Sequence, residues 1–379
     1  MITDCLSDLS PTTVFWLVNS IAVFAVCVSF AGLLIPQILL ISFRKQLFDQ
    51  PDERKIHQGV VPRLGGIAFK PVMFFSVALM FGLCQLSGYS YMLEGIAVES
   101  RSLSFGFCCI MLLYLVGIAD DLIGIRYKDK FAVQSMCGVM MIAGGMWINN
   151  LHGLFGIHEL SAWIGYPLTV LVIVFIINSI NLIDGIDGLA SGLCGATTLF
   201  YGVVFFLSHE YIYAILSFAT LGVLVPFFYY NVFGDANKQK KIFMGDTGSL
   251  TVGMIICILC MKLLQCSPDT STNLPNTLVL AYSPLLIPCL DVVRVYLHRV
   301  RNGKNPFLPD KNHIHHKLLA LGMRQRMAMV IIVLVSILFS SCNILISKYI
   351  DVTLLVFINI LVWTLLNVWL TYRIKKTKK

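Results

Sequence analysis

The chain has 379 residues, of which 57% are hydrophobic and only 13% charged, and its mean hydropathy is +0.81. Soluble domains carry about 25% charged residues and are about 45–50% apolar, so the composition excludes two or three soluble domains and points to one polytopic membrane domain over residues 1–379. The formal net charge is +8, from 28 Lys+Arg against 20 Asp+Glu, and the positions of those charges decide whether a nucleic-acid surface is meant.

A helix crosses a hydrocarbon core of about 30 Å with about 20 apolar residues. Runs of that kind begin near Val14, Ile67, Leu103, Phe131, Ile164, Leu189, Tyr211, Thr247, Thr277, Met327 and Val352. They predict an all-α membrane helix bundle with about eleven transmembrane helices. The first run has no Lys or Arg before Arg44 and extends to about Ile41, too long for the apolar region of a cleaved signal peptide. Basic residues collect in alternate loops: Arg44 to Arg63, Arg126 to Lys130, Lys238 to Lys241, Arg299 to Arg326, and the tail from Arg373. That bias predicts an outside N-terminus and a cytoplasmic C-terminus. Only Arg101, Lys262 and Lys348 fall toward the outside, so the excess charge records topology and no nucleic acid is expected as a partner. The 12 cysteines show neither a disulfide framework nor a zinc pattern, and Cys257 and Cys260 read as packing within a helix.

Five polar segments all fall on the expected cytoplasmic side. The first runs from Asp49 to His57 and on to the Gly65–Gly66 pair. It reads either as a turn-rich basic loop or as an anion site built from Arg54, Lys55, His57 and glycine backbone. The second is Asp120–Asp121, followed by Lys128, Lys130 and Gln134. Paired acids at a membrane edge need a cation, water or a shared proton to compensate them. The third holds Asn178, Asn181, Asp184 and Asp187 at three-residue steps, with Gly185 and Gly188 between and after the acids. The steps predict neighbours on one helix side, an oxygen-rich set suited to a hard cation and hydroxyls.

The fourth segment is Phe243 to Ser249, in which Asp246 opens a helix beside glycines and hydroxyls. It reads as an N-cap or as a carboxylate for the metal of a phosphate held on exposed N–H groups. The fifth places His313, His315 and His316 within four residues. A transition-metal site is one reading, but adjacent His315 and His316 cannot share one ion from a regular helix, and sugar and phosphate contacts fit better. Asp291 and Arg294, one turn apart, read equally as a buried ion pair or as catalytic groups. Carboxylates among hard oxygens call for Mg²⁺, with Mn²⁺ as a substitute, and nearby cations call for phosphate. A membrane body with this inventory at one face implies a Mg²⁺-dependent transferase with a diphosphate donor and a membrane-held acceptor.

The series Asn178–Asp187 (NSINLIDGIDG), Phe243–Ser249 (FMGDTGS) and His313–His316 (HIHH) resembles the polyprenyl-phosphate N-acetylhexosamine-1-phosphate transferases, over about residues 49–322. Its closest likeness is to the bacterial undecaprenyl-phosphate N-acetylglucosamine-1-phosphate branch. The resemblance implies transfer of N-acetylhexosamine 1-phosphate from a UDP-N-acetylhexosamine to undecaprenyl phosphate in the bacterial inner membrane, with UMP released on the cytoplasmic face. This would be the first membrane step of a cell-envelope glycan. By the same resemblance Asp246 is the Mg²⁺ ligand with Asn181 beside it. Asp120 and Asp121 deprotonate or orient the lipid phosphate, and Asn181, Asp184 and Asp187 form the nucleotide and metal side. His313, His315 and His316 recognise the sugar, and Lys130 and Gln134 match polar positions. Asn178 is a further substrate-binding candidate. One-step attack by the lipid phosphate is expected over a covalent aspartyl phosphate, and a homodimer is compatible with the sequence. The competing readings are the muramoyl-pentapeptide branch of peptidoglycan synthesis and a secondary transporter, whose site would lie near the midplane.

Overall fold

The computed structural model describes residues 10–47, 61–89, 91–266, 275–303, 305 and 312–377. The chain folds into helices α1 (Pro11–Arg44), α2 (Phe69–Leu86), α3 (Tyr91–Val98), α4 (Ser100–Ile123), α5 (Tyr127–Ala143), α6 (Ala162–Ile183) and α7 (Leu189–Leu207). There follow α8 (Tyr211–Phe233), α9 (Gly245–Gln265), α10 (Thr277–Tyr282), α11 (Leu286–Arg301), α12 (Ile314–Ala320), α13 (Gln325–Ile346) and α14 (Val352–Thr377). Among the described residues there is no β-strand, only one isolated bridge between Asn150 and Glu159.

Among the described residues ten helical segments are long and apolar enough to cross a membrane, α10 and α11 counting as one broken span. The eleventh expected run, from Phe131, lies in α5, whose 17 residues rise only about 26 Å. Its first turn carries Lys128, Asp129 and Lys130, so only the remainder of α5 is apolar. The chain is a multi-pass membrane protein. Helix α1 starts at Ser10, whose Oγ accepts from Thr13 N at 3.2 Å, with Pro11 in the first turn. Its 34 residues rise about 51 Å, so the end bearing Arg44 projects past the hydrocarbon.

Helix α9 is the axis of the bundle. It is buried from Thr247 to Leu264 and packs on α4, α6 and α7. Small residues permit the contact: a Cβ at Gly117 of α4 would collide with the Thr247 backbone, and one at Gly66 with Gly248. At the end of α9 remote from Asp246, Lys262 Nζ donates to Glu99 Oε1 at 2.7 Å and pairs with Glu210 Oε1 at 3.1 Å. Tyr213 OH and Ser102 Oγ both donate to Glu99 Oε2, at 2.8 and 2.7 Å. This clamp ties α4, α8 and α9 together on the face opposite the polar segments. Cys257 and Cys260 lie buried in α9, as the packing reading requires.

Candidate active site

The last turn of α4 brings Asp120 and Asp121 to the start of α9, and the two neighbours make different contacts. Asp121 accepts from Asp246 N at 2.8 Å, Thr247 N at 2.9 Å and Thr247 Oγ1 at 2.6 Å. It thus satisfies the first free N–H groups of α9 from another helix, the service a cap residue usually performs locally. The approach requires Gly245, whose φ is +69° and where a Cβ would stand 2.5 Å from Asp121 Oδ2. Asp120 instead accepts from Ile125 N at 2.6 Å and from Lys130 Nζ at 2.5 Å. The same Lys130 ammonium pairs with Asp246 Oδ2. One cation of α5 therefore compensates two carboxylates from α4 and α9.

Asn181, in the last turn of α6, donates from Nδ2 to Asp246 Oδ1 at 3.1 Å and to Ser249 Oγ at 2.8 Å. It holds Asp246 through its amide nitrogen, where the resemblance implied a metal ligand. Asn178 diverges from it: its Nδ2 donates to Gln134 Oε1 at 2.6 Å and to Val174 O at 2.7 Å. The pair with Gln134 joins α6 to α5, so three-residue spacing does not send both asparagines to one place. The helix itself ends before the acids do. Ile183 is its last residue, Asp184 is the C-cap, and Gly188 has φ +78°. Asp187 therefore lies in a turn, where Lys241 Nζ pairs with it at 2.5 Å. Asn231 fixes that turn, accepting from Gly188 N at 2.6 Å and donating to Ile242 O at 2.8 Å.

Asp184 is exposed by area, with Asp246, Asp187, Asp121 and Arg63 as charged neighbours. Burial of its surroundings, then repulsion from Asp246 and Asp187, raises its carboxyl to about 7, while Arg63 pulls the other way. The histidine segment reaches the same turn. His315 lies against Gly185, where a Cβ would meet its ring, and the rings of His313 and His315 stack 5.8 Å apart. Burial lowers the His315 pKa to about 3, so its imidazole is neutral at physiological pH. His313 Nδ1 contacts Asp291 Oδ2 at 2.8 Å, and Ile314 N donates to Asp291 Oδ1 at 3.1 Å. Arg294 donates to Asp291 Oδ1 at 2.8 Å and also to the Asn312 carbonyl. Asp291 thus forms the expected ion pair with Arg294 and also holds the start of α12 and one histidine.

The structure brings together Asp120, Asp121, Lys130, Asn181 and Asp246, and sets Asp184, Asp187 and the histidines around the adjoining turn. It leaves Asn178 apart. Arg54, Lys55 and His57 lie outside the described residues, as do Asp49 and residues 309–311. Ser249, Lys241 and Asn231 were missed; Ser249 shares a motif with Asp246, but Lys241 and Asn231 carry no local signal. Among the described residues no trio of His, Cys, Asp or Glu forms a ready metal cage. The donors nearest to one are the oxygens of Asp120 and Asp246, whose shared ammonium marks a point of strong negative potential. Such hard oxygen donors fit a small divalent cation that keeps waters and substrate phosphate in its shell.

A family model described as "Glycosyl transferase family 4" matches residues 103–264. A Bacillus subtilis (strain 168) protein named "Probable undecaprenyl-phosphate N-acetylglucosaminyl 1-phosphate transferase" is 31% identical over 355 residues, 91% of this chain and 92% of its own. The chain belongs to glycosyl transferase family 4. Proteins named "Undecaprenyl-phosphate alpha-N-acetylglucosaminyl 1-phosphate transferase" from Salmonella typhi and Escherichia coli (strain K12) are 30% and 29% identical, each over 79% of this chain and 76% of their own. The family match runs from α4 to the end of α9, so it contains the whole Asp120–Lys130–Asn181–Asp246 cluster and the Asp184–Asp187 turn. The histidine segment lies beyond it.

Proposed function

We propose that this chain transfers N-acetylglucosamine 1-phosphate from its UDP derivative to undecaprenyl phosphate, giving undecaprenyl-diphospho-N-acetylglucosamine and UMP. The observation that carries the reading is the convergence of Asp120, Lys130, Asn181 and Asp246 at one end of the spans, in a chain similar over most of its length to proteins named for this reaction. The acceptor is a lipid and the donor a soluble nucleotide, so the reaction belongs at a membrane edge. The Lys/Arg bias of the loops supports the cytoplasmic face for that edge, and the bacterial relatives support the inner membrane. Membership of the family sets the transporter reading aside, and the names of the relatives favour this branch over the muramoyl-pentapeptide one.

Mg²⁺ would be held by Asp246 with Asp120 and would neutralise diphosphate charge. Asn181 and Ser249 orient Asp246, and Asp121 holds the start of α9 so that Asp246 keeps its aim. Lys130, released from the two acids, is the nearest ammonium for a donor or acceptor phosphate. The neutral His315 ring, packed against the Asp184 turn, together with His313 would contact the sugar and exclude water. All three Asp121 contacts are used within the protein, which supports Asp120 over Asp121 as the group facing the lipid phosphate. A direct attack of that phosphate on the sugar-side phosphorus needs no free aspartate, in keeping with a one-step transfer.

The test is UMP release by the purified protein with undecaprenyl phosphate, Mg²⁺ and a panel of UDP-sugars. Release with UDP-N-acetylglucosamine is expected, and none with any UDP-hexosamine would overturn the reading. Asp246→Asn should abolish turnover while the protein stays folded, and omission of the divalent cation should do the same to the wild type.

A further inference from the structure

We infer that the chain carries a binding site for the phosphate headgroup of an anionic phospholipid, between the ends of α1 and α8 on the membrane face that holds the active site. A cavity of about 840 Å³ opens there. Three cations from two separate stretches of chain converge on it: Arg44 at the end of α1, and Lys238 and Lys240 in the loop after α8. Among the described residues none of the three has a carboxylate within ion-pair distance, whereas Lys130, Lys241 and Lys262 all do. Unpaired cations gathered in one cavity favour an anionic ligand.

The rest of the lining says which anion. Pro36, Leu39 and Leu40 form one wall with Tyr229, and this wall continues onto apolar surface that is open to lipid: Leu40, Ile41, Tyr229 and Phe233 are all exposed. A soluble nucleotide or an acidic peptide would gain nothing from that wall. A phospholipid uses both halves, its phosphodiester on the cations and its acyl chains along α1 and α8, with the tyrosines at headgroup level. The backbone around the cavity is also held in place. Gln46 and Gln239, both lining it, have φ of +53° and +55°, conformations that persist where the surroundings over-determine them.

Occupation of this site acts on the loop that enters the active site. Lys238 and Lys240 face the cavity, while the next residue, Lys241, pairs with Asp187. Beyond it Phe243 N donates to Pro62 O at 2.9 Å, and Gly66 N donates to Met244 O at 3.0 Å, immediately before Gly245 and Asp246. A headgroup on the two lysines would hold this connection down. The inference concerns binding and stands whether or not the reaction proposed above is correct.

The experiment measures phosphatidylglycerol retained by the full-length protein on native mass spectrometry after release from phosphatidylcholine/phosphatidylglycerol vesicles. Each cation removed should weaken retention about fivefold, so the triple variant Arg44→Gln/Lys238→Gln/Lys240→Gln should lose it about a hundredfold. The control Lys375→Gln/Lys376→Gln, which removes charges from the end of α14, should retain phosphatidylglycerol like the wild type. In the wild type, hydrogen exchange of residues 234–243 should slow when phosphatidylglycerol is added, and in the triple variant it should not. If the triple variant does not fold, the single variants at Arg44 and Lys240 carry the fivefold test. Unchanged retention in folded variants would overturn the site, as would equal loss in the control. One-for-one displacement of phosphatidylglycerol by undecaprenyl phosphate would also overturn it, by making the cavity a second place for the acceptor.

Discussion

Asp120 and Asp121 are adjacent and identical in type, and only the structure distinguishes them. Replacement of Asp121 by Asn turns an acceptor of three hydrogen bonds into a group that presents an NH₂ to backbone donors. Hydrogen bonds to a charged group contribute about 1.5–3 kcal/mol each, so Asp121→Asn should lower the melting temperature by several degrees and reduce turnover as a consequence. Asp120→Asn keeps an acceptor for Ile125 N and removes one of two carboxylates that share Lys130. It should leave thermal stability near that of the wild type while turnover falls steeply. Calorimetry beside UMP release separates the two, and parallel behaviour would remove the distinction. Asp184 gives a pH signature. Its folded carboxyl titrates near 7 against about 3.9 in the unfolded chain, so folding favours its protonated form. The group's contribution to stability is therefore greatest at acid pH and is lost as pH rises from about 4 through 7. The fall in melting temperature between pH 5 and 8 should be shallower in Asp184→Asn. Added Mg²⁺ should raise the melting temperature of the wild type more at pH 8 than at pH 6.

At the scale of elements, helices were legible because apolar length alone marks them, and their junctions were not. Ten of the eleven runs became helices long enough to cross a membrane, yet the three-residue ladder from Asn178 to Asp187 breaks at Ile183, where glycines release the chain into a turn. The motif's helical periodicity puts all four polar residues on one helix side; only Asn178 and Asn181 are helical, and those two turn to different partners. The missed partners lie far away in sequence: Lys241 is 54 residues from Asp187 and Asn231 is 43 from Gly188. No local pattern encodes such a pair. The short helix α12 shows the same limit. Its 7 residues are too few to be stable alone, and its start is fixed by Asp291 from α11, which also holds His313 and Arg294. Asp291→Asn should free the His313 ring and raise KM for the UDP-sugar about tenfold, the equivalent of one hydrogen bond's net contribution, with a smaller change in kcat. Equal losses in both constants, or none, would detach the histidine segment from donor binding.

At the scale of the whole molecule, α9 carries two unlike polar clusters at its two ends. Asp246 and Lys262 are 16 residues apart, about 24 Å along the axis, and the stretch between them is buried and nearly all apolar or small. Around Asp246 like charges crowd together, with Lys130 paired to two of them, an arrangement that costs stability and suits ligand binding. Around Lys262 one ammonium likewise faces two carboxylates, Glu99 and Glu210, but there Ser102 and Tyr213 also donate to Glu99 and no further acid joins the pair among the described residues. The bundle thus fastens its central helix at one face, while at the other Asp121 and Asp184 add further acids to the Lys130 cluster. Lys262→Met would leave Glu99 and Glu210, both half-buried, without their shared cation, a loss smaller than the cost of about 3–5 kcal/mol for breaking a fully buried pair. The variant should melt well below the wild type in lipid nanodiscs, while the fraction that stays folded at low temperature turns over within about twofold of normal, since no contact of Lys262 reaches the Asp246 cluster. Asp246→Asn should show the reverse, a normal or raised melting temperature with turnover lost. Loss of activity in folded Lys262→Met would mean that the far clamp sets the aim of Asp246 through α9, and the two ends would have to be treated as one unit.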